Sequence, residues 1–599
     1  MRTPIQFIAL LLVLSACLTS ATAQSLAKSA QSPSPTRVAA PTAPKNEDAR
    51  FQRFAHSALE DHWRQFPEWA FDVGRYDYAD QMTVPNQVYR ARTVAFYERQ
   101  LAALATFDQR KLSASSRVDH ALLRNEFESS RWGLTTFKDW EWQPSTYNVG
   151  GSFGRMLTGS YAPLDTRLRH VLARLAHVPA YYEAARASVA NPSLEHTQLA
   201  ILQNKGALDV FGDDLVQSVA ASGLSVTEKT QFVASLASAK AAITAYIDWL
   251  SAMEPGLKTD GARSFRIGRD LYAQKFAYDI QSGWSAEQLY QRAKAEKTTL
   301  HDQMEKLARD LWPKVMGQTP VPTDRLDMIR AVIEELSKKH ATAETFVEAV
   351  RKQIPELEAF VRTHDLLTQD PTRPLVVRET PPYKRGEAVA RINAPGPYDP
   401  TAKTYYSVDP IDDSNPEKAE SFLREYNDWM LQIVNIHEAV PGHYTQLIHA
   451  NKSKSAIKSI FGNGSMQEGW AVYGEKMMLD AGYGNHAPEL HLIWMKFNLR
   501  SVANAILDYE IHTQGLERDA GIAMLTHEAF QQQSEAVGKW RRATLTQVQL
   551  TSYFNGYAEI TALRDEHKAR LGKDFSVKKF NNRFLSYGSA PVKLIRELM

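Results

Sequence analysis

Cysteine is almost missing from this sequence: Cys17 is the only one in 599 residues. No internal disulfide can form, so the fold must be held by its core. Charge of one sign is scarce too, with 70 Lys and Arg against 68 Asp and Glu and a net of +2. That balance gives no electrostatic footprint for nucleic acid or for an anionic membrane surface. The apolar run from Ile5 to Leu14 is too short for a permanent membrane helix. There is no repeat with a consistent signature, no serine nucleophile elbow and no phosphate-binding glycine loop. These absences remove solenoids, serine hydrolases and nucleotide-binding enzymes of the common kinds.

What is present divides into three parts. Arg2 and the apolar run after it mark an export signal over residues 1–23. Two cleavage readings stand. Leu14-Ser15-Ala16-Cys17 fits a lipobox, in which Cys17 is acylated, and Ala21-Thr22-Ala23 fits an ordinary signal-peptidase site. Residues 24–48 are rich in Ser, Ala, Thr, Gln and Pro and cannot bury enough apolar surface to fold. From 49 to 599 the chain reads as a folded body, either two lobes of about 49–370 and 371–599 or one extended helical mass. Apolar positions at three- and four-residue spacing predict helices over 165–190, 226–253, 286–311 and 324–340, and the class is mainly α. The texture changes between 371 and 410, where 374–378 and 404–408 read as short strands. A small sheet there either receives a peptide by strand addition or is a structural hairpin.

The chemistry is concentrated in 435–446, Asn-Ile-His-Glu-Ala-Val-Pro-Gly-His-Tyr-Thr-Gln. His437 and His443 are six apart, and an unbroken helix would turn them away from each other. Pro441 lacks the amide that would bond the carbonyl of His437, and Gly442 tolerates backbone angles closed to other residues. A break at Pro441–Gly442 is predicted to return His443 to the same metal as His437. The helix carrying this motif is expected to start near Pro416, and a further helix to cover 466–480 after the Gly462–Ser465 turn. In its first turn Glu468 offers the third ligand. Two imidazoles and a carboxylate leave one position of tetrahedral zinc open to water, and Glu438 is the base for it. Glu475, two turns beyond Glu468, either supports a histidine ligand or is a solvated helix residue. Asn435 is either a support for the ligands or a residue of the helix face. Further helices are expected over 486–514, 523–540 and 557–571.

The two elements resemble the bacterial family called domain of unknown function 885. Its His-Glu-x-x-Pro-Gly-His-x-x-Gln is matched by His437, Glu438, Pro441, Gly442, His443 and Gln446. Its Glu-Gly-Trp-Ala-x-Tyr-x-Glu is matched by Glu468, Gly469, Trp470, Ala471, Tyr473 and Glu475. The likeness runs from about Phe51 to the C-terminus. The family is similar to gluzincin metallopeptidases, which implies a reaction class rather than a substrate. Downstream, Asp508…His512 resembles the family's Asp…His pair and Tyr553…Gly556 its Tyr-x-x-Gly. His512 and Tyr553 are thereby candidate donors to an oxyanion, or else a buried histidine and a core tyrosine. Asp508 either orients His512 or forms an ordinary salt bridge with Arg500 or another base. One position departs from the pattern: Asn581 follows Phe580 where the family commonly has His.

Together these readings predict an exported, multi-helix zinc peptidase with one Zn2+ per chain, short peptides as substrates and no nucleic-acid partner. Membrane contact is expected only through a lipid at Cys17. The alternatives are a zinc hydrolase of another amide or ester, and a binding or scaffold protein that keeps the metal without turnover.

Overall fold

The structure, a computed structural model, describes residues 45–380, 390–399, 402–411 and 413–599. The export signal, Cys17 and the spacer up to residue 44 lie outside the described residues. The first helix, Lys45–Gln65, starts four residues before the expected edge of the body. Its Phe51, Ala55, Leu59 and Trp63 recur at helical spacing and are all buried, so the apolar stripe fixes it from its second turn. Helices dominate the rest of the chain, as the periodicity predicts. None among the described residues is long and apolar enough to cross a membrane.

Local chemistry decides where the helices start and stop. Ser225 and Ser285 open the two longest, Val226–Gly256 and Ala286–Val315, each with a reciprocal capping box to the residue three positions on. The single run expected over 165–190 is two helices, Leu164–Leu175 and Val178–Ser188. Pro179 lies in the first turn of the second, where its missing amide does no harm, whereas mid-helix it would break the ladder. The run expected over 523–540 is also interrupted. A wide turn at Met524–Glu528 and Phe530 at φ 54° precede the helix Gln533–Leu545.

Two hydrophobic cores form. The smaller gathers Tyr147 to Leu250 with Phe71 and Ala79. The larger joins residues from Phe51 to Trp142 with others from Phe265 to Ile595, so the packing does not divide near residue 370. A cleft of about 1530 Å³ has walls from both.

The sheet has three strands, β1 (Leu375–Glu379), β2 (Ala390–Asn393) and β3 (Thr404–Val408), in the order β1-β3-β2. The two strands expected from sequence are present, but they run parallel, with Leu375 opposite Thr404. They are therefore not a hairpin. β2, whose alternation of buried Ala390 and Ile392 with Arg391 and Asn393 spans only two repeats, pairs antiparallel with β3, Ala390 opposite Val408. Tyr406, fully buried on β3, donates its hydroxyl to Asn435 Oδ1 at 2.8 Å and so fastens the sheet to the motif helix.

Candidate metal centre

The motif helix is Asp428–Glu438. It does not continue from Pro416. A separate helix, Pro416–Glu425, ends at Tyr426, and Asn427 begins the next by accepting the amides of Trp429 and Met430. Asn435 donates to Gln353 Oε1 at 2.7 Å as well as accepting from Tyr406. It thus holds the helix in register, and neither of these bonds reaches a histidine ligand.

The predicted break is there. The helix stops at Glu438, and a new one, His443–Ala450, begins after Gly442. The Gly442 amide donates to Ile436 O at 3.0 Å. A Cβ on Gly442 would sit 1.8 Å from His437 O, which only glycine avoids. Trp470 Nε1 donates to Pro441 O at 2.8 Å and pins the bend from the neighbouring helix. As a result the rings of His437 and His443 lie 4.8 Å apart with planes at 88°.

Glu468 comes from the helix Gly464–Asp480, which Asn463 caps through the Met466 amide at 2.8 Å. Its Oε2 is 3.4 Å from His443 Nε2 and 3.7 Å from His437 Nε2. Donors at about 2.0–2.1 Å from a tetrahedral zinc are separated by about 3.3–3.4 Å, so the edge to His443 has the length of a coordination edge and the edge to His437 is a little longer. Behind it, His437 Nδ1 donates to Glu475 Oε1 at 2.6 Å, which leaves Nε2 turned to the ligand set. Glu475 is fully buried and is not a solvated helix residue. The ligating atoms of His437, Glu438 and His443 also lie within 4.8 Å of one another. Glu438 therefore stands at the centre, and its Oε2 is buried without a hydrogen-bond partner.

Charge in this cluster asks for a cation. Burial pushes the carboxyls of Glu438 and Glu475 up. It also opposes the charged form of His437, but the bonds to Glu468 and Glu475 outweigh it and hold that imidazole up at about 10. Burial would raise Glu468 as well, and the two histidines instead hold it well below the usual carboxylate range. Two buried carboxylates and the half-buried Glu438 around two imidazoles are stabilised by a proton or by a metal ion.

Other expected residues divide. Tyr553, on the helix Ser552–Leu571, lines the cleft with its ring 6.5 Å from that of His437 and nearly parallel to it. His512 does not line the cleft. Its Nε2 donates to Ala543 O at 3.0 Å, and its ring packs between Phe265 and Tyr272. Asp508, fully buried, accepts from the Tyr272 hydroxyl and the Val548 amide, both at 2.8 Å. It neither orients His512 nor pairs with Arg500, whose guanidinium goes to Glu535. Asn581 is enclosed behind the Glu468 helix, away from the cleft lining. Sequence reasoning missed Lys539 and Arg542, which line the cleft beside Tyr553. The signal was Lys539-Trp-Arg-Arg542, but charged runs on helices are usually solvated.

The family described as "Bacterial protein of unknown function (DUF885)" matches residues 67–599. The chain belongs to the DUF885 family. The solved structure of "a putative lipoprotein of unknown function from Shewanella oneidensis" is 51% identical, with a TM-score of 0.82 over 92% of this chain and 99% of that one. That of "the putative lipoprotein from Colwellia psychrerythraea" is 16% identical and shares the fold, with a TM-score of 0.75 over 92% and 98%. No curated protein matches the sequence.

Proposed function

We propose that this DUF885 protein is an exported zinc metallopeptidase that cleaves short peptides, with one Zn2+ held by His437, His443 and Glu468. The observation that carries this reading is the placement of Glu468 Oε2 at 3.4 and 3.7 Å from the two imidazoles, with Glu475 behind His437. When bound there, the ion supplies Lewis acidity toward a carbonyl and lowers the pKa of water. Glu438 takes the proton from the attacking water and passes it to the leaving amine. The Tyr553 hydroxyl donates to the oxyanion that forms at the carbonyl. β2 borders the same cleft through Arg391, Ile392 and Asn393, which supports alignment of an extended peptide along it. The recess between the two cores favours short, unfolded chains over folded proteins. The two solved relatives are described as lipoproteins, which together with Leu14-Ser15-Ala16-Cys17 supports a lipid anchor at Cys17 and a place in the periplasm or at the outer membrane.

The test is elemental analysis of purified residues 24–599 beside His443→Ala, followed by a peptide-library screen with wild type and Glu438→Gln. One zinc per chain, lost in His443→Ala, with cleavage lost in Glu438→Gln, is the expected result. If the wild type neither carries nor takes up stoichiometric metal, the hydrolase reading fails. Zinc without cleavage of any peptide turns the reading to another amide or ester, or to a binding protein.

A further inference from the structure

The cleft wall next to Tyr553 carries more positive than negative charge. It is built from the helices Pro488–Gln514 and Gln533–Leu545. Arg500 and Lys539 share one carboxylate, Glu535. Arg500 pairs with it directly, and Lys539 Nζ, on a side chain only 4% exposed, lies 3.8 Å from its Oε1. Behind this wall Glu425, the last residue of the helix Pro416–Glu425, is bound by Lys496 at 2.9 Å. Arg542 has no carboxylate partner among the described residues. Its Nη2 donates to two neutral groups, Gln549 Oε1 at 2.7 Å and the Tyr553 hydroxyl at 3.0 Å. Its Nε is buried and has no partner. Glu468, the acid that also influences this guanidinium, is committed to the two histidines.

Buried or half-buried cations are costly unless an anion meets them. Here the fold supplies Arg542 with no such anion among the described residues, on a wall that faces the cleft. The Arg542 Nε is enclosed and its Nη2 is fully used, but Nη1 makes no hydrogen bond among the described residues and is not enclosed, so this arm of the guanidinium stays open for a charge-assisted contact to a carboxylate. Arg542 touches Tyr553, and Tyr553 lies over His437. The open Nη1 arm is therefore one side chain away from the reacting centre, within a residue or two of a bond cleaved there.

We infer that Arg542, with Lys539 beside it, forms a subsite for a carboxylate of the substrate next to the metal centre. Two sources share that chemistry, the free C-terminus of a peptide and an acidic side chain near the cleaved bond. The inference rests on the peptidase reading for the kind of substrate, and on the cleft wall for the carboxylate.

The experiment uses zinc-loaded residues 24–599 and neutral peptides of three to eight residues, each as a free acid and as its C-terminal amide. A third set is amidated and carries Asp or Glu at successive positions. The acids are expected to be cleaved with kcat/KM at least about tenfold above their amides, mainly through KM, as fits loss of one charge-assisted pair. In Arg542→Gln the acid-to-amide preference collapses, whatever loss both forms share, and Arg542→Lys recovers part of it. Lys539→Gln, checked for folding by its melting curve, gives a second reading of the same ratio. Preference for the acidic-side-chain set over the neutral amides also supports the subsite and identifies the side chain as the source. Cleavage with no preference among the three sets overturns the subsite and leaves the peptidase reading standing. Calorimetric binding of the same peptides to zinc-loaded Glu438→Gln separates the two ideas. If it prefers carboxylates while wild type cleaves nothing, the subsite stands and the peptidase reading falls.

Discussion

Gly469 and Gly556 bring two helix backbones into contact where the Glu468 helix crosses the Tyr553 helix. A Cβ on Gly469 would lie 2.2 Å from Gly556 C, and one on Gly556 would lie 1.7 Å from Ser465 O. Neither neighbour is a flexible side chain that could give way. The contact lets Glu468 and Tyr553, from separate helices, approach the same pair of imidazoles. Gly556→Ala is therefore expected to cost about 1–3 kcal/mol or more by overpacking, and to weaken zinc binding along with it. Gly206→Ala is the control, because nothing lies within 4 Å of its added Cβ on the helix Leu194–Val210. It should raise stability by about 1 kcal/mol through helix propensity. Chemical denaturation and zinc content measure both; equal effects of the two substitutions would disprove the contact's role.

The metal-free centre holds a proton that zinc must displace. His437 is held up at about 10 by Glu468 and Glu475, against the opposing effect of burial. Its value is raised above that of an unfolded histidine, about 6.5. This interaction thus stabilises the metal-free fold fully below about pH 6.5, and the gain is lost as pH rises toward 10. Zinc needs the neutral ring, so its uptake at neutral pH should release about one proton and tighten as pH rises. Calorimetry in buffers of different ionisation enthalpy counts that proton. A count of zero would mean that His437 is already neutral.

Glu475, fully buried, and Glu438, half-buried, are both carboxylates beside His437, yet they should respond oppositely to the same change. Glu475→Gln replaces the acceptor of His437 Nδ1 and should weaken zinc binding about 10- to 100-fold. Glu438→Gln leaves the three ligands in place. It should keep its zinc while turnover falls about 100- to 10,000-fold. Zinc loss in Glu438→Gln with retention in Glu475→Gln would exchange their roles.

Much of the centre was legible because its chemistry is local. Pro441 and Gly442 announce the break, and His437, Glu438, His443 and Glu468 fall within 32 positions of sequence around it. Glu475 was legible as one of two readings, and burial decides between them. Distant pairings were not legible. Nothing in the sequence near His512 indicates that its ring nitrogen ends on Ala543 O, or that Asp508 turns to Tyr272 instead. β2 was missed because Ala390-Arg-Ile-Asn393, although it alternates apolar and polar, offers only two repeats in a Pro- and Gly-containing segment, too few to mark a strand. The start of the motif helix was misplaced because the apolar stripe through Phe422, Tyr426, Met430 and Val434 continues across the cap at Asn427. A periodic pattern records which face is buried, and it does not record where the backbone stops.

Asn581, the position that departs from the family's usual His, tests how far the centre extends. Tyr473 donates its hydroxyl to Asn581 Oδ1 at 3.0 Å, and Asn581 Nδ2 reaches Leu366 O and Met477 Sδ, both at 2.9 Å. The residue is completely buried, and its bonds tie the outer side of the Glu468 helix to the helix Val577–Leu585. It is a brace behind a ligand-bearing helix, with no contact to the cleft. Asn581→Ala should therefore strand the Tyr473 hydroxyl and the Leu366 carbonyl and lower stability by about 1–3 kcal/mol. Zinc content and turnover per folded molecule should stay at wild-type level below the new melting point. Thermal unfolding measured beside steady-state cleavage separates the two effects. A fall in turnover without a fall in stability would place position 581 within the reaction itself.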